Sequence, residues 1–290
     1  MPEKPFFSII IPVFNSAATL SNALGSILNQ TFVNYEVIII DGLSTDNTMS
    51  IINSYSKKLP LKYLSEPDKG IYDAMNKGIK LAEADWLYFM GGDDILYDTK
   101  VLSAIQQGLN NNPCHLLYGN VIGQLSNTKY AYDTVDKVLT EGIHHQSAFY
   151  KRTLFDELGI YDNSFKIAAD YHFTLKVFVS KLYRTQYVNI DICLYGESGY
   201  SSQNYDYKFY SYHYRFLSKN NAVKQTGAYQ KCLDDSVYCC LYLAMNKTDL
   251  LFAWQNLLFC LFQKNAFTFK YRIKKGLQML RWSILSKSKV

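Results

Sequence analysis

The chain has 290 residues, 48% hydrophobic and 19% charged, which supplies a large buried core and excludes a disordered or fibrous protein. Its net charge of +5 is uneven: no acidic residue follows Asp249, whereas Lys264, Lys270, Arg272, Lys274, Lys275, Arg281, Lys287 and Lys289 are basic, so the first 249 residues carry −3. A basic tail on a mildly acidic body argues against a nucleic-acid partner.

Met1 to Pro5 lead directly into an apolar strand, so no signal peptide is expected. The six cysteines form no Cys-x-x-Cys pair, which reads as free thiols in a reducing cytosol. Phe7 to Val13 is a β-branched apolar run, and Thr19 to Leu28 carries Leu20, Leu24, Ile27 and Leu28 at helical spacing. Tyr35 to Ile40 reads as a second strand, Asp46 to Tyr55 as a helix capped by Ser44 or Thr45, and Leu61 to Leu64 as a third strand. A helix over Ile71 to Ala82 and a strand over Trp86 to Met90 follow. Apolar strands alternating with helices predict an α/β fold, a Rossmann-like, mostly parallel sheet with helices on both faces.

The middle is less regular. His115 to Val121 and Lys129 to Tyr132 read as strands, and Thr153 to Leu158 and Ala168 to Val179 as helices. From about Asn221 the pattern is helical, a C-terminal extension ending in the basic segment. Leu250 to Phe262 is its most apolar stretch, but Gln255 and Asn256 interrupt it and it is shorter than the ~20 residues of a spanning helix.

In an open parallel sheet, ligands bind beyond the carboxyl ends of the strands. Those ends carry Pro12-Val13-Phe14-Asn15, Asp41 to Asp46, Glu66 to Gly70 and Gly91-Gly92-Asp93-Asp94. Four polar turns at the same end mark a binding crevice. There is no Gly-x-Gly-x-x-Gly after the first strand and no Gly-Lys-Ser/Thr loop, which disfavours nicotinamide and P-loop enzymes. A crevice of carboxylates accepts a diphosphate only with a hard divalent cation between them, Mg²⁺ or Mn²⁺.

Pro12-x-Phe14-Asn15, Glu36 to Asp46, Asp68-Lys-Gly70-Ile-Tyr-Asp73-Ala-Met-Asn76-Lys-Gly78 and Gly92-Asp93-Asp94 together resemble the inverting family 2 glycosyltransferases of the GT-A fold. The similarity runs from Phe6 to about Ser201, in particular to bacterial enzymes of O-antigen and other surface polysaccharide synthesis. The resemblance implies that Pro12, Phe14, Asn15, Asp41, Asp68 and Asp93 bind the nucleotide-sugar donor, Asp41 through the base and Asp93 through the ribose. It implies that Asp94 coordinates the metal and that Asp170 is the general base. Where the family often has Glu-Asp, this chain has Ala169-Asp170. His145 and Gln146 are candidates for acceptor or diphosphate contacts.

The bland alternatives stay open at this stage. Asp41 also suits a turn cap, Asp46 a helix cap and Asp170 a helix N-terminal charge, and a solvated helix face explains Asp73 and Asn76 equally well. Gly196 to Ser202 reads either as a lid or as a plain loop, and the tyrosine-rich run Tyr200 to Phe216 as helix packing or as sugar-stacking rings.

The expected organisation is a nucleotide-sugar-binding half over 1–105, an acceptor-binding half over 106–216 and a basic helical extension over 217–290. The expected activity is transfer of a hexose, glucose or galactose, from a UDP-sugar to a lipid-linked (undecaprenyl diphosphate) saccharide, with a β linkage. The alternatives are another donor (UDP-GlcNAc, UDP-GalNAc, a GDP- or dTDP-sugar), an inert sugar-nucleotide-binding protein, or a nucleotidyltransferase. The last is disfavoured because Pro12 to Ala18 holds no basic residue.

In the tail, Ile273, Leu277, Leu280 and Ile284 form one helical stripe among Lys270, Lys274, Lys275, Arg281 and Lys287, with Trp282 as an interfacial side chain. This predicts either a helix packed on its own domain or a peripheral contact with anionic lipid on the inner face of the cell membrane.

Overall fold

In the computed structural model, which describes residues 4–180, 182–199, 204–218, 227–246, 248–263 and 268–285, the run Phe7–Val13 forms strand β1 and every residue of it is buried. β2 (Tyr35–Asp41) is also buried throughout and lies parallel to β1. β3 (Leu61–Ser65) and β4 (Trp86–Phe89) complete a parallel set in the order β3-β2-β1-β4.

Alternate side chains of a strand point to opposite faces, so a strand buried on both sides needs cover on both. Phe7, Ile9, Ile11 and Val13 join a core with Leu20, Leu24 and Ile27 of α1 (Leu20–Leu28) and Leu102 and Ile105 of α4 (Val101–Asn111). Ile10 meets α3 (Ile71–Leu81) on the other face, where a Cβ on Gly78 would fall 2.4 Å from Ile10 Cγ2. Glycine at 78 is what lets the helix backbone lie directly on the sheet.

The second half of the sheet is mixed. β8 (Ala148–Lys151) runs antiparallel to β4 and to β6 (Leu116–Gly123). β9 (Thr185–Tyr195) runs parallel to β6, and the short β5 (Ile95–Leu96) pairs antiparallel with β9. β7 (Lys129–Tyr130) is a two-residue ribbon on β6. The sheet is therefore parallel where strands and helices alternate in sequence, and it reverses where β8 enters.

α2 (Thr48–Tyr55) starts two residues later than the sequence predicts, and neither Ser44 nor Thr45 caps it. Asp46 does so instead, accepting from Thr48 N at 3.0 Å and Thr48 Oγ1 at 2.5 Å. α5 (Val135–Glu141), α6 (Thr153–Leu158) and α7 (Ala169–Val179) complete the helices around this part of the chain.

The chain forms two compact units, Met1–Val138 with Gly142–Gln203, and Leu139–Glu141 with Asn204–Val290. The first holds the whole sheet. The second takes in α8 (Tyr207–Leu217), α9 (Gly227–Met245), α10 (Leu250–Leu261) and α11 (Phe269–Leu285) around its own core of Leu233, Val237, Leu257, Cys260 and Met279. Within the aromatic run, Tyr205 stacks on Tyr210 and Tyr207 on Tyr242. Tyr200, Lys264 and Lys287 lie outside the described residues. Trp282 packs against this core rather than standing out as an interfacial ring, with neighbouring Ser283 Oγ accepting from Trp254 Nε1 at 3.2 Å. All six cysteines are buried free thiols, and no described helix is long and apolar enough to cross a membrane.

Candidate active site

The carboxyl ends of the first three strands lie level, with Val13 paired to Asp41 and Asp41 to Ser65. Asp41 is fully buried and closes its own turn. Its oxygens accept from Ser44 N at 3.1 and 3.3 Å, and Oδ2 also from Ser65 Oγ at 2.6 Å. The loops after β1 and β2 each place a non-glycine residue in the left-handed region, Asn15 at φ 50 and Leu43 at φ 63. Such backbone persists only where its surroundings over-determine it. Here Asn15 N donates to Ser44 Oγ, Thr45 N to Asn15 Oδ1 and Ser16 N to Thr48 Oγ1, each at 2.8 Å.

This stitching engages Asn15 N and Oδ1 and leaves the neighbouring Phe14 63% exposed at the rim. An exposed ring beside polar loops is a platform on which a planar base can stack. Gly42 is the point where three loops converge, since a Cβ there would meet Asp68 Oδ2 at 2.6 Å and Phe14 Cδ2 at 3.5 Å. Asp68 Oδ1 accepts from Gly70 N at 2.8 Å, and Pro12 is buried within β1.

The turn after β4 is packed onto the first loop at Gly92, where a Cβ would meet Ser16 Oγ and Val13 Cγ1, both at 3.1 Å. Asp94 is 1% exposed. Its Oδ2 accepts from Gly91 N at 2.5 Å and Gln146 Nε2 at 3.0 Å, and its Oδ1 from Gly196 N at 2.9 Å. Burial, reinforced by the negative Asp93 next to it, raises the Asp94 carboxyl above its ordinary range against the pull of His145. The Asp93 carboxylate lies against Gly196, where a Cβ would fall 2.0 Å from its Oδ2.

Facing this turn is the 3₁₀ turn His145–Ser147, and its first two residues look in different directions. Gln146 holds Asp94, while His145 Nδ1 lies 3.0 Å from Asp170 Oδ2 in the first turn of α7. Asp170 Oδ1 accepts from Tyr72 Oη at 2.7 Å and from Tyr171 N at 2.8 Å. Burial works to raise Asp170, but His145, Tyr72 and the Tyr171 N–H outweigh it and hold the carboxyl below its usual range. Burial works to lower His145, but Asp170, followed by Asp94 and Asp93, outweighs that and holds the imidazole above its ordinary range. His144 is the opposite case. Burial, with the charge of His145, pushes it down to about 4, and its ring is engaged by Tyr132.

His145 Nε2 and Gln146 Oε1 are buried with no hydrogen-bond partner among the described residues. Leaving a buried polar atom unpaired costs about 1–3 kcal/mol, so two such atoms on adjacent residues between carboxylates point to groups that a ligand satisfies. The donor set also suits a hard cation. Asp94 Oδ1 has a single hydrogen-bond partner among the described residues, and Asp93 and Asp94 are adjacent carboxylates whose repulsion a divalent ion relieves. No three His, Cys, Asp or Glu side chains form a ready cage among the described residues.

The sequence reading missed Tyr72 and undervalued Asn76 and Gly196. Asn76 is 4% exposed, not part of a solvated face. Its Nδ2 donates to Tyr161 O at 2.9 Å and Asn163 Oδ1 at 3.1 Å, and its Oδ1 accepts from Tyr161 N at 2.9 Å. Asp73 accepts from Lys69 N at 3.1 Å and from Asn163 Nδ2 at 3.3 Å. Both residues thus tie α3 to the loop leading into α7. The stretch beginning at Gly196 is anchored by Glu197, whose Oε2 accepts from Leu125 N at 2.6 Å and Ser126 N at 2.7 Å. Residues 200–202 of the expected lid lie outside the described residues.

An α/β sheet with a carboxylate turn after its fourth strand, faced by a carboxylate at the start of a helix, has the GT-A fold of glycosyltransferases. The chain belongs to glycosyl transferase family 2, whose model matches residues 8–169. It is 36% identical over 200 residues to a PGL/p-HBAD biosynthesis glycosyltransferase of Mycobacterium tuberculosis (strain H37Rv), covering 67% of this chain and 78% of that one. An uncharacterized glycosyltransferase of Rickettsia prowazekii is 31% identical over 196 residues, covering 62% of this chain and 61% of the relative. In structure it resembles S. aureus TarS (residues 1–349) in complex with UDP-GlcNAc, with a TM-score of 0.65, 17% identity and coverage of 88% and 89%. The mannosyltransferase PcManGT of Pyrobaculum calidifontis, solved with GDP-Man and Mn²⁺, gives 0.61 at 17% identity, covering 99% of this chain and 89% of that one.

Proposed function

We propose that the protein is an inverting, metal-dependent hexosyltransferase that moves glucose or galactose from a UDP-sugar to a hydroxyl of a lipid-linked saccharide, forming a β linkage in surface polysaccharide synthesis. The observation that carries the reading is the His145-Gln146 pair, which ties the acceptor-side carboxylate Asp170 to the donor-side carboxylate Asp94 within one turn of backbone. In this reading residues 1–105 bind the donor and residues 106–216 build the acceptor side.

Phe14 and the Asp41 turn receive the base, Asp68 and Asp93 the rest of the nucleoside, and Asp94, with Asp93 beside it, holds Mn²⁺ or Mg²⁺. When bound, that ion neutralises charge on the diphosphate. Asp170, kept ionised by Tyr72 and His145, takes the proton of the acceptor hydroxyl while its oxygen attacks the anomeric carbon. The carbon–oxygen bond to UDP breaks on the opposite face, and the electron pair leaves with the diphosphate. His145 Nε2 is placed to donate to a diphosphate or acceptor oxygen. The solved relatives bound to UDP-GlcNAc and to GDP-Man with Mn²⁺ support a nucleotide-sugar donor and a divalent ion. An acceptor carried by undecaprenyl diphosphate makes the enzyme peripheral on the cytoplasmic face of the membrane.

The test is a panel of UDP-, GDP- and dTDP-sugars with Mn²⁺, scored for donor hydrolysis and for transfer to lipid-linked saccharides. Turnover of UDP-Glc or UDP-Gal above the others is expected. Preference for another donor overturns the sugar assignment. Donor binding without any turnover overturns the enzyme reading.

A further inference from the structure

Helix α11 has two apolar sides, and the core of its unit uses only one. Met279 is fully buried, and Trp282 and Tyr271 pack against the same core. On another side Ile273, Leu277, Leu280 and Ile284 recur at three- and four-residue spacing and are 46%, 61%, 47% and 67% exposed. Four aliphatic side chains held open to water along one stripe are not explained by packing within the unit. Lys270, Lys274 and Arg281 are exposed and fall within about a quarter turn of the stripe on one flank. Lys275 lies elsewhere, near Gln278 and the Tyr271 ring. The preceding helix adds to the apolar surface of this unit, since Leu251 and Phe262 are also largely exposed.

We propose that the outward stripe of α11 is a lipid-binding surface. The helix lies in the plane of an anionic bilayer, its four aliphatic side chains enter the acyl boundary, and Lys270, Lys274 and Arg281 meet the lipid phosphates. Charge decides between occupants. A second copy of this helix offers the basic flank no acidic partner, whereas an anionic headgroup layer neutralises it, and long basic side chains beside an apolar stripe reach up to headgroups while their stems stay apolar. The absence of any acidic residue after Asp249 means that nothing in this segment opposes the attraction. The inference gives the peripheral reading above a specific surface, and it rests on that reading only for its biological purpose.

The test uses the full chain and vesicles free of donor and acceptor, so it succeeds or fails independently of any transferase assay. Co-sedimentation is expected with mixed phosphatidylcholine–phosphatidylglycerol vesicles and not with phosphatidylcholine alone, and it should weaken as salt rises. The triple variant K270E/K274E/R281E should lose at least ~tenfold in affinity. Leu277→Asp should lose a similar factor with an unchanged melting temperature, because Leu277 is exposed. Leu277→Trp supplies a probe whose emission should shift blue on vesicles. Equal binding to neutral vesicles, no binding at low salt, or variants that bind like the wild type overturn the proposal. So does a concentration-dependent dimer that Leu277→Asp dissolves while wild type ignores vesicles, since the stripe would then serve a second copy.

Discussion

Tyr72 Oη lies 2.7 Å from Asp170 Oδ1, although 98 residues separate the two in sequence. The hydroxyl belongs to α3, the helix that opens with the Asp68-Lys-Gly70 turn of the donor side, and the carboxylate opens α7 on the acceptor side. The same hydroxyl also lies within hydrogen-bond reach of Ile167 O, so the position of the proposed base depends on the helix that follows the donor loop. The opposite oxygen of Asp170 is held by His145, so the carboxylate is fixed from both ends and kept ionised in a buried place.

Tyr72→Phe removes a hydrogen bond to the charged form of Asp170 and leaves the ring in place. Asp170 is then easier to protonate. The acidic limb of kcat against pH should move to higher pH, so the loss of kcat should grow as pH falls and be small at neutral pH, where the carboxyl stays ionised. The donor KM should hardly change. His145→Ala should move the same limb further, because His145 does more than Tyr72 to hold the carboxyl down. A limb that stays put in both variants would place the base elsewhere.

Asp170→Asn keeps the shape and deletes the base. Donor affinity by titration should stay close to wild type while kcat drops by at least ~10². Asp94→Asn should do the reverse to binding, abolishing transfer and weakening donor binding in a metal-dependent way. Normal turnover by Asp94→Asn, or full wild-type activity in excess chelator, contradicts the metal assignment.

The sequence made the donor side legible because its information is local. β1 and β2 are uninterrupted apolar runs, and the residues that chemistry needs follow each run directly, as Asn15 follows Val13 and Asp41 ends its own strand. The acceptor side was less readable because it is assembled at long range. β8 and β9 are short or unevenly buried segments that exist only by pairing with β4 and β6, and no periodicity marks them. Tyr72 and Asn76 look like ordinary residues of an amphipathic helix until the loop at 161–163 and Asp170 are set against them. In the tail the stripe was legible, but the direction in which it faces was not. Met279 and Trp282 on the packed side are as apolar as Leu277 on the open one.

Asn76→Ala tests whether the motif asparagine is structural. Its amide makes three hydrogen bonds to the 161–163 loop in a nearly water-free place, and alanine leaves the Tyr161 N–H and C=O without their partner. The loss should be about 2–4 kcal/mol of stability, read as a lower urea midpoint. If stability is unchanged and only donor binding falls, Asn76 contacts ligand instead.

Gly196→Ala probes the junction between the two carboxylates and the end of β9. Gly196 N donates to Asp94 Oδ1 at 2.9 Å, and the space where a Cβ would stand is occupied by the Asp93 carboxylate, 2.0 Å away at Oδ2. Its φ is not in the left-handed region, so the backbone tolerates alanine, and the nearest atoms its Cβ would meet belong to Asp93. Asp93 must therefore swing away or the 196–197 segment must lift, and the second route is resisted because Glu197 is anchored on Leu125 N and Ser126 N. The expected result is displacement of Asp93, with donor KM raised about tenfold and the melting temperature nearly unchanged, since only one half-buried side chain has to move. Because Asp170 keeps its hydrogen bonds to His145 and Tyr72, the pH limb assigned to the base should move much less than in His145→Ala. A variant that melts much earlier would show that the segment gives way instead. Unchanged donor KM would remove Asp93 from the donor site.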